Sequence, residues 1–367
     1  SSAMLPIRSD LVEKYGNAYG SDADKLAYNG PYVMKSWAHN DRMVFEKNPN
    51  YWNKDAIGPD EVTLVLVADD NTRINMYNTG DIYFMDLINN MITAYTDSPE
   101  LQRYATGGVT FIVLSHKGAS EETAKITKNR NFLMALSSAI DREGLVKAMF
   151  PNFEPFTGVI NPVISNELGG KWGDTYDVTN VYHKVNADPE AAKAYIAKAC
   201  EELGYASGAD MPTFDFFTTS AEIQRTLSEY FQSVWGETLG IKINIRQLEF
   251  AQYWENLYNQ PYDIARTGWG PDYDDPFTYL DMWDSRGGWN KTGWVGENFY
   301  KLTAEANLQS DYKKRNDMFF EAEKILLTEA PIIPLYMSRG ALVISAKIQN
   351  VGINTFGARF DFRYAKL

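Results

Sequence analysis

Near the amino terminus hydrophobic and polar positions alternate with the period of a strand, and further on apolar residues recur at helical spacing, so the chain reads as a mixture of the two. Residues 1–30 are polar, with a short helix expected over Asp10–Tyr15. Tyr32, Met34 and Ser36 then alternate with Val33, Lys35 and Trp37. The pattern resumes over Met43–Glu46 after the polar turn Asn40-Asp41, which predicts a β-hairpin. Asn48–Asn53 is a loop, Glu61–Val67 is the clearest strand, and Asn71–Asn78 is a short helix ending before Thr79-Gly80-Asp81. The apolar run Ile82–Leu87 follows.

The character of the chain changes near Gly107-Gly108. Val109–Leu114 is a strand, and Asn131–Phe150 carries Phe132, Leu136, Ala139, Ile140 and Leu145 at helical spacing. Residues 151–186 form a long connection rich in Pro, Gly and Asn, a length that is unusual inside a domain unless it lies over a site. Thr213–Thr218 is a strand and Ser220 the expected cap of a helix bearing Ile223, Leu227, Phe231 and Val234. Gly240 ends that helix, and Ile241–Leu248 alternates as a strand. This is a βαβ unit, so parallel strands are expected. A helix over 250–258, a strand over Asp263–Thr267, an amphipathic helix over Asp311–Thr328 and a buried strand over Pro331–Met337 extend it. The tail Ile348–Leu367 has aromatic alternation and no helical signal.

At 367 residues the chain is too long for one small core, which predicts two lobes. The formal net charge is -13 and no basic stripe interrupts it, which argues against nucleic acid as a partner. No apolar run reaches the roughly 18 residues of a membrane span, and Ser1-Ser-Ala-Met-Leu-Pro6 lacks the pattern of a signal peptide. Cys200 is the single cysteine, on a partly apolar helical face over Ala191–Leu203, and reads as a buried, inert thiol. Tyr (23) and Trp (9) are abundant, as they are on surfaces that hold amphipathic ligands and also in large cores.

One stretch concentrates chemistry. In Tyr262–Pro276 a short apolar strand runs into a loop where Gly268 and Gly270 free the backbone around Trp269, and Pro271 and Pro276 stop the strand. Asp272, Asp274 and Asp275 stand there among Trp269, Tyr273 and Phe277, a combination suited to a cationic group beside planar or apolar surface. Ligands collect at strand ends of α/β sheets in this way. The competing reading is a capped turn, with Asp275-Pro276 opening a helix whose apolar face is Phe277, Leu280 and Trp283. His39, His116 and His183 have no metal spacing, and the nucleophile elbow, phosphate loop and dinucleotide fingerprint are absent. Asp272-x-Asp274 starts like a calcium loop but has Phe277 where a glycine is needed. Among 48 acidic residues a glycosidase-like carboxylate pair stays open, with nothing else pointing to catalysis.

Several segments together resemble a known family. Asn29-Gly-Pro-Tyr32, Trp37, Phe45–Trp52, Asp60-Glu-Val-Thr63, Asn71 and Tyr77–Ile82 are similar to the "NGPY…W…RNPxYW…V…G(E/D)ID" run of the extracytoplasmic oligopeptide-binding proteins of ABC importers, the family 5 substrate-binding proteins. Arg130–Arg142 resembles that family's "R…AL..AIDR" helix, Arg266–Pro276 its "GW..DY.dP" ligand loop, and Ala330–Tyr336 its last core strand. The resemblance runs in order through the whole chain. It implies an α/β, two-lobed, periplasmic-binding-protein-like fold of the large type II class. Family members begin earlier, so the chain is expected to be a carboxy-terminal portion with the amino-terminal part of the first lobe, and any lipoprotein anchor, missing. The expected parts are 1–106 as the middle of lobe one, 107–336 as lobe two, and 337–367 as the return to lobe one. The implied function is binding extended oligopeptides in an interlobe cleft and delivering them to an ABC permease, as an extracytoplasmic monomer that uses no cofactor or metal and is not an enzyme. Carried over by position, Asp272 would pair with the peptide's ammonium, Arg266 would lie in the same wall, and Trp269 and Tyr273, between Gly268 and Gly270 and beyond, would flank the ligand. An oligosaccharide or metal-chelate binder on the same fold, and more distantly a cell-wall hydrolase, are the alternatives.

Overall fold

A computed structural model describes residues 6–88, 91–284, 286 and 290–367. The chain divides into two compact units, Ser1–Thr106 with Gly340–Leu367, and Gly107–Arg339.

In the first unit α1 (Ser9–Tyr15) precedes an antiparallel meander, β1 (Tyr32–Ala38), β2 (Arg42–Lys47) and β3 (Glu61–Val65), in that spatial order. The hairpin turn places Asn40 at φ 62, the left-handed region that asparagine tolerates better than most residues. Next, α2 (Asp70–Thr79) is capped by Asp69, whose carboxylate accepts from the Thr72 amide at 2.7 Å. Then come β4 (Phe84–Leu87), α3 (Met91–Ala94) and β5 (Leu101–Leu114), and the last of these continues into the second unit. Tyr77, Met85, Leu87, Met91 and Tyr95 form the core of this unit.

The second unit opens with α4 (Glu121–Thr127), α5 (Arg130–Ser138), α6 (Arg142–Met149) and the two-residue β6 (Glu154–Pro155). After the irregular connection come α7 (Pro189–Leu203), β7 (Phe214–Thr219), α8 (Glu222–Leu239), β8 (Ile243–Leu248), α9 (Phe250–Asn259) and β9 (Ile264–Trp269). The short α10 (Phe277–Leu280), α11 (Glu297–Asn307), α12 (Tyr312–Glu329) and β10 (Ile332–Ile344) complete it. Its strands run in the order β10-β5-β9-β7-β8, with β7 parallel to both β8 and β9 and β5 antiparallel to β9. Beyond β10, whose far half pairs with β4 inside the first unit, the tail adds the small pair β11 (Gly352–Ile353) and β12 (Phe360–Asp361).

The βαβ unit forms because two periodicities converge on one core. Phe214 and Phe216 alternate on β7, while Leu227, Phe231 and Trp235 recur every four residues on α8, and all five are buried in one cluster with Phe132, Leu136 and Ile264. Each such ring contributes about 1.5–3 kcal/mol by leaving water. Gly240 ends α8 at φ 75, as expected of a left-handed cap. Cys200 is buried on α7, and burial pushes its thiol pKa up, which keeps it protonated and inert.

Four expectations change. The run 131–150 is two helices rather than one, because Asp141 leaves the helix to cap α6 through the Gly144 amide at 3.1 Å. Arg142 then turns inward and gives its guanidinium to the carbonyls of Ser137, Lys184 and Pro334. Ser220 does not cap α8; its hydroxyl donates to Glu249 at 2.9 Å, and Ala221 stands at the cap without a side-chain bond. Both β5 and β10 are longer than their apolar runs. In β10 the strand passes through Ser338-Arg339-Gly340, where a side chain at Gly340 would collide with the Tyr104 ring at 2.0 Å.

Candidate functional site

The loop 270–276 follows β9, the central strand between β5 and β7. The register pairs Ile112 with Arg266, Thr110 with Gly268 and Val109 with Trp269. Gly268 is therefore inside the strand rather than a hinge, and it is a glycine because a Cβ there would lie 2.6 Å from the Val109 carbonyl oxygen. Gly270 is exposed with open space around it. Strand pleating sends Arg266 and Trp269 to opposite faces. The pocket that Trp269 lines does not include Arg266, whose Nε is buried and has no hydrogen-bond partner among the described residues.

Thr278, fully buried at the start of α10, holds the loop. Its hydroxyl oxygen accepts from the Asp272 amide at 3.1 Å and from the Trp269 indole at 3.3 Å, which ties both predicted residues to one atom. Tyr279 anchors the same turn by donating to the Gly107 carbonyl at 2.6 Å. Tyr273 reaches Asp281 at 3.5 Å, a long contact.

The three aspartates meet different fates. Asp274 accepts from the Ser165 amide at 2.7 Å and the Ser165 hydroxyl at 2.6 Å, which fastens the irregular connection to the loop. Asp275 receives Arg315 at 2.7 and 3.1 Å and the Phe277 amide at 2.8 Å. Arg315 also pairs with Glu167 at 2.7 Å and lies over the Phe319 ring at 4.5 Å. Asp272 is exposed, and among the described residues no side chain or amide bonds its carboxylate. Its negative charge is nevertheless felt nearby: burial, and then the Asp272 charge, push the Asp281 carboxyl up to about 6. Asp281 Oδ1 is buried without a partner among the described residues.

A pocket of about 80 Å³ opens beside the loop within the second unit, between β5, α9, the end of β9 and the residues Met282, Trp283, Asn290, Lys291 and Thr292. Its walls include Trp254, Tyr258, Trp269 and Trp283. Sequence reasoning singled out Trp269 but missed Thr278, Ser165, Arg315, Asp281 and this ring of aromatics. Ser165 and Arg315 lie far from the loop in sequence, by 109 residues and by 40, whereas Thr278 and Asp281 stand within nine residues of their partners and carry no pattern that marks them. Among the described residues no group of three or more His, Cys, Asp or Glu side chains is placed to hold a metal ion, and no helix is long and apolar enough to cross a membrane.

The second unit is a mixed α/β sheet with an aromatic, acidic loop at the end of β9, and the class of the protein follows from comparison. The chain matches the family model of bacterial extracellular solute-binding proteins, family 5, over residues 1–291, and belongs to that family. It is 27% identical over 350 residues to the oligopeptide-binding protein OppA of Bacillus subtilis, covering 95% of this chain and 62% of that protein. To the dipeptide-binding protein DppE of the same organism it is 23% identical over 91% of this chain and 59% of the relative. The chain thus spans about three fifths of the length of these relatives. Among solved structures it superposes on the substrate-binding domain of an oligopeptide ABC transporter from Bacillus anthracis with a TM-score of 0.81 and 26% identity, covering 99% of this chain and 69% of that one. Listeria monocytogenes OppA bound to peptide gives 0.80 with 26% identity and the same coverage.

Proposed function

We propose that this chain binds extended peptides through its second unit, with Asp272 taking the peptide's terminal ammonium. We further propose that it works outside the cytoplasm as the binding component that hands peptides to an ABC importer. One observation carries the reading: of three carboxylates in the loop, the two neighbours are consumed by Ser165 and Arg315, while Asp272 stays exposed and has no partner among the described residues. An acid kept free on a loop that is otherwise held by hydrogen bonds is positioned without being neutralised, which suits a charge-assisted bond to a cation. Trp269, held through Thr278, and Tyr273 supply planar surface on either side. Gly270 leaves the backbone open to a ligand, Gly268 lets β9 lie close against β5, and Arg266 on the other face of β9 serves a separate part of the ligand wall. The names of the relatives, oligopeptide- and dipeptide-binding proteins, support peptides as the ligand class.

The aromatic walls of the neighbouring pocket also suit a sugar, and this is the competing reading. Native mass spectrometry of the purified protein separates the two. A spread of bound masses that dissociate as peptides is expected, whereas a single oligosaccharide mass contradicts the proposal.

A further inference from the structure

The irregular connection contributes one short hairpin, residues 164–172, that meets the Asp272 loop from outside. Ile164 and Trp172 are both buried at its base, where the Trp172 amide donates to the Ile164 carbonyl at 2.7 Å. Ser165 and Lys171 pair above them as an antiparallel bridge, and the Asn166 side-chain oxygen accepts the amides of Leu168 and Gly170 at 3.0 Å each. Asn316, fully buried on α12, donates to the Asn166 carbonyl and so fixes the hairpin to that helix. At the tip Glu167 stands at φ 58 and Gly169 at φ 93. A glutamate keeps the left-handed region only where its surroundings impose it.

Those surroundings belong to the loop. Glu167 pairs with Arg315 at 2.7 Å, and Arg315 in turn holds Asp275 at 2.7 and 3.1 Å. Ser165 gives Asp274 both its amide and its hydroxyl, at 2.7 and 2.6 Å. The hairpin thus grips two adjacent carboxylates, directly and through Arg315, and among the described residues it leaves that of Asp272 untouched.

We propose that Ser165 and Glu167 are positioning residues for the ammonium site: acting through Asp274 and Asp275, they hold Asp272 where it meets the charged amine of a ligand. The proposal rests on the peptide reading and adds to it the part of the molecule that prepares the acid. A carboxylate on a loose loop has to be ordered when the ligand arrives, and that ordering is subtracted from the affinity. A clasp formed on folding removes this loss. It also occupies Asp274 and Asp275, either of which could otherwise take an ammonium, so the amine finds a single acid and the ligand a single register.

The test is calorimetry on the full chain with tetra-alanine and N-acetyl-tetra-alanine, which keeps the backbone and lacks the cation. Wild type is expected to prefer the free amine by about 10-fold or more, the worth of a hydrogen bond to a charged group. Ser165→Ala and Glu167→Ala should each weaken tetra-alanine by about 3- to 10-fold and leave the acetylated peptide within about twofold. Ser165→Thr, which keeps the hydroxyl, should restore the preference, and in an Asp272→Ala background neither alanine variant should have a further effect. A merely structural hairpin would weaken both peptides alike. Because the preference is read as a ratio within one protein, a variant that is partly unfolded still reports it, and each single variant carries the comparison if the other fails to fold. If the free-amine preference survives in both alanine variants, or both peptides weaken equally, the positioning role falls while the peptide reading stands. If wild type binds both peptides equally, the assignment of Asp272 to the ammonium fails, and if it binds neither, the peptide reading fails; the proposal falls with either.

Discussion

Asp272 and Glu323 are carboxylic acids in the same unit and meet opposite surroundings. Glu323, fully buried on α12, accepts the amides of Val159 and Ile160 at 2.8 Å each and the Trp172 indole at 3.4 Å, and so staples the irregular connection to the helix. Asp272 is exposed and its loop is held through its amide, Asp274 and Asp275, while among the described residues no group bonds its carboxylate. A buried acid surrounded by donors is structural, because removing it strands those donors. An exposed acid without partners on a braced loop adds nothing to the fold, which leaves it available for a ligand. The pair teaches that the count of carboxylates in a stretch says little and that their partners say most.

The comparison can be broken by mutation. Glu323→Leu removes the acceptor for two amides and an indole N–H and should cost about 4 kcal/mol of folding stability in urea denaturation. Glu323→Gln, which keeps an acceptor, should cost about 1 kcal/mol. A loss of under about 1 kcal/mol for leucine would show that the staple is dispensable.

Titration gives the next effect. Burial lifts the Glu323 carboxyl from 4.5 to about 7, against the pull of its hydrogen bonds. A raised folded-state pKa means that the folded protein holds its proton more tightly. The contribution is therefore full below about pH 4.5 and is lost as pH rises through about 7. Wild type should lose up to about 3 kcal/mol relative to Glu323→Gln across that window. Parallel pH profiles for the two proteins would contradict the assignment.

Asp275→Asn weakens a partly buried ion pair but leaves Glu167 beside Arg315, so a loss of about 2 kcal/mol is expected, below the 3–5 kcal/mol of an isolated buried pair. Asp272→Ala should change stability by less than about 0.5 kcal/mol, the smallest effect of the series. A larger loss would make Asp272 structural like its neighbours.

The strands and helices whose period is uninterrupted were legible in the sequence, including the βαβ unit of β7, α8 and β8, because Phe214, Phe216, Leu227 and Phe231 announce their shared core by spacing alone. Element ends were not. Ser220 looks like a cap and bonds Glu249 instead, and the polar Ser338-Arg339-Gly340 conceals the continuation of β10. At the site, the concentration of acid and aromatic groups was visible. The division of labour among Asp272, Asp274 and Asp275 depends on Ser165 and Arg315, which tertiary folding alone brings to the loop.

The central claim, that Asp272 is the acid reserved for a ligand's ammonium, is tested most directly by calorimetric titration of a short peptide into wild type, Asp272→Ala and Asp284→Ala. Asp284 is a fair control because its carboxylate is already held by Arg286 at 2.5 Å. Loss of a charge-assisted bond predicts about 10- to 100-fold weaker binding for Asp272→Ala and little change for Asp284→Ala. Equal affinities for the two variants would contradict the account.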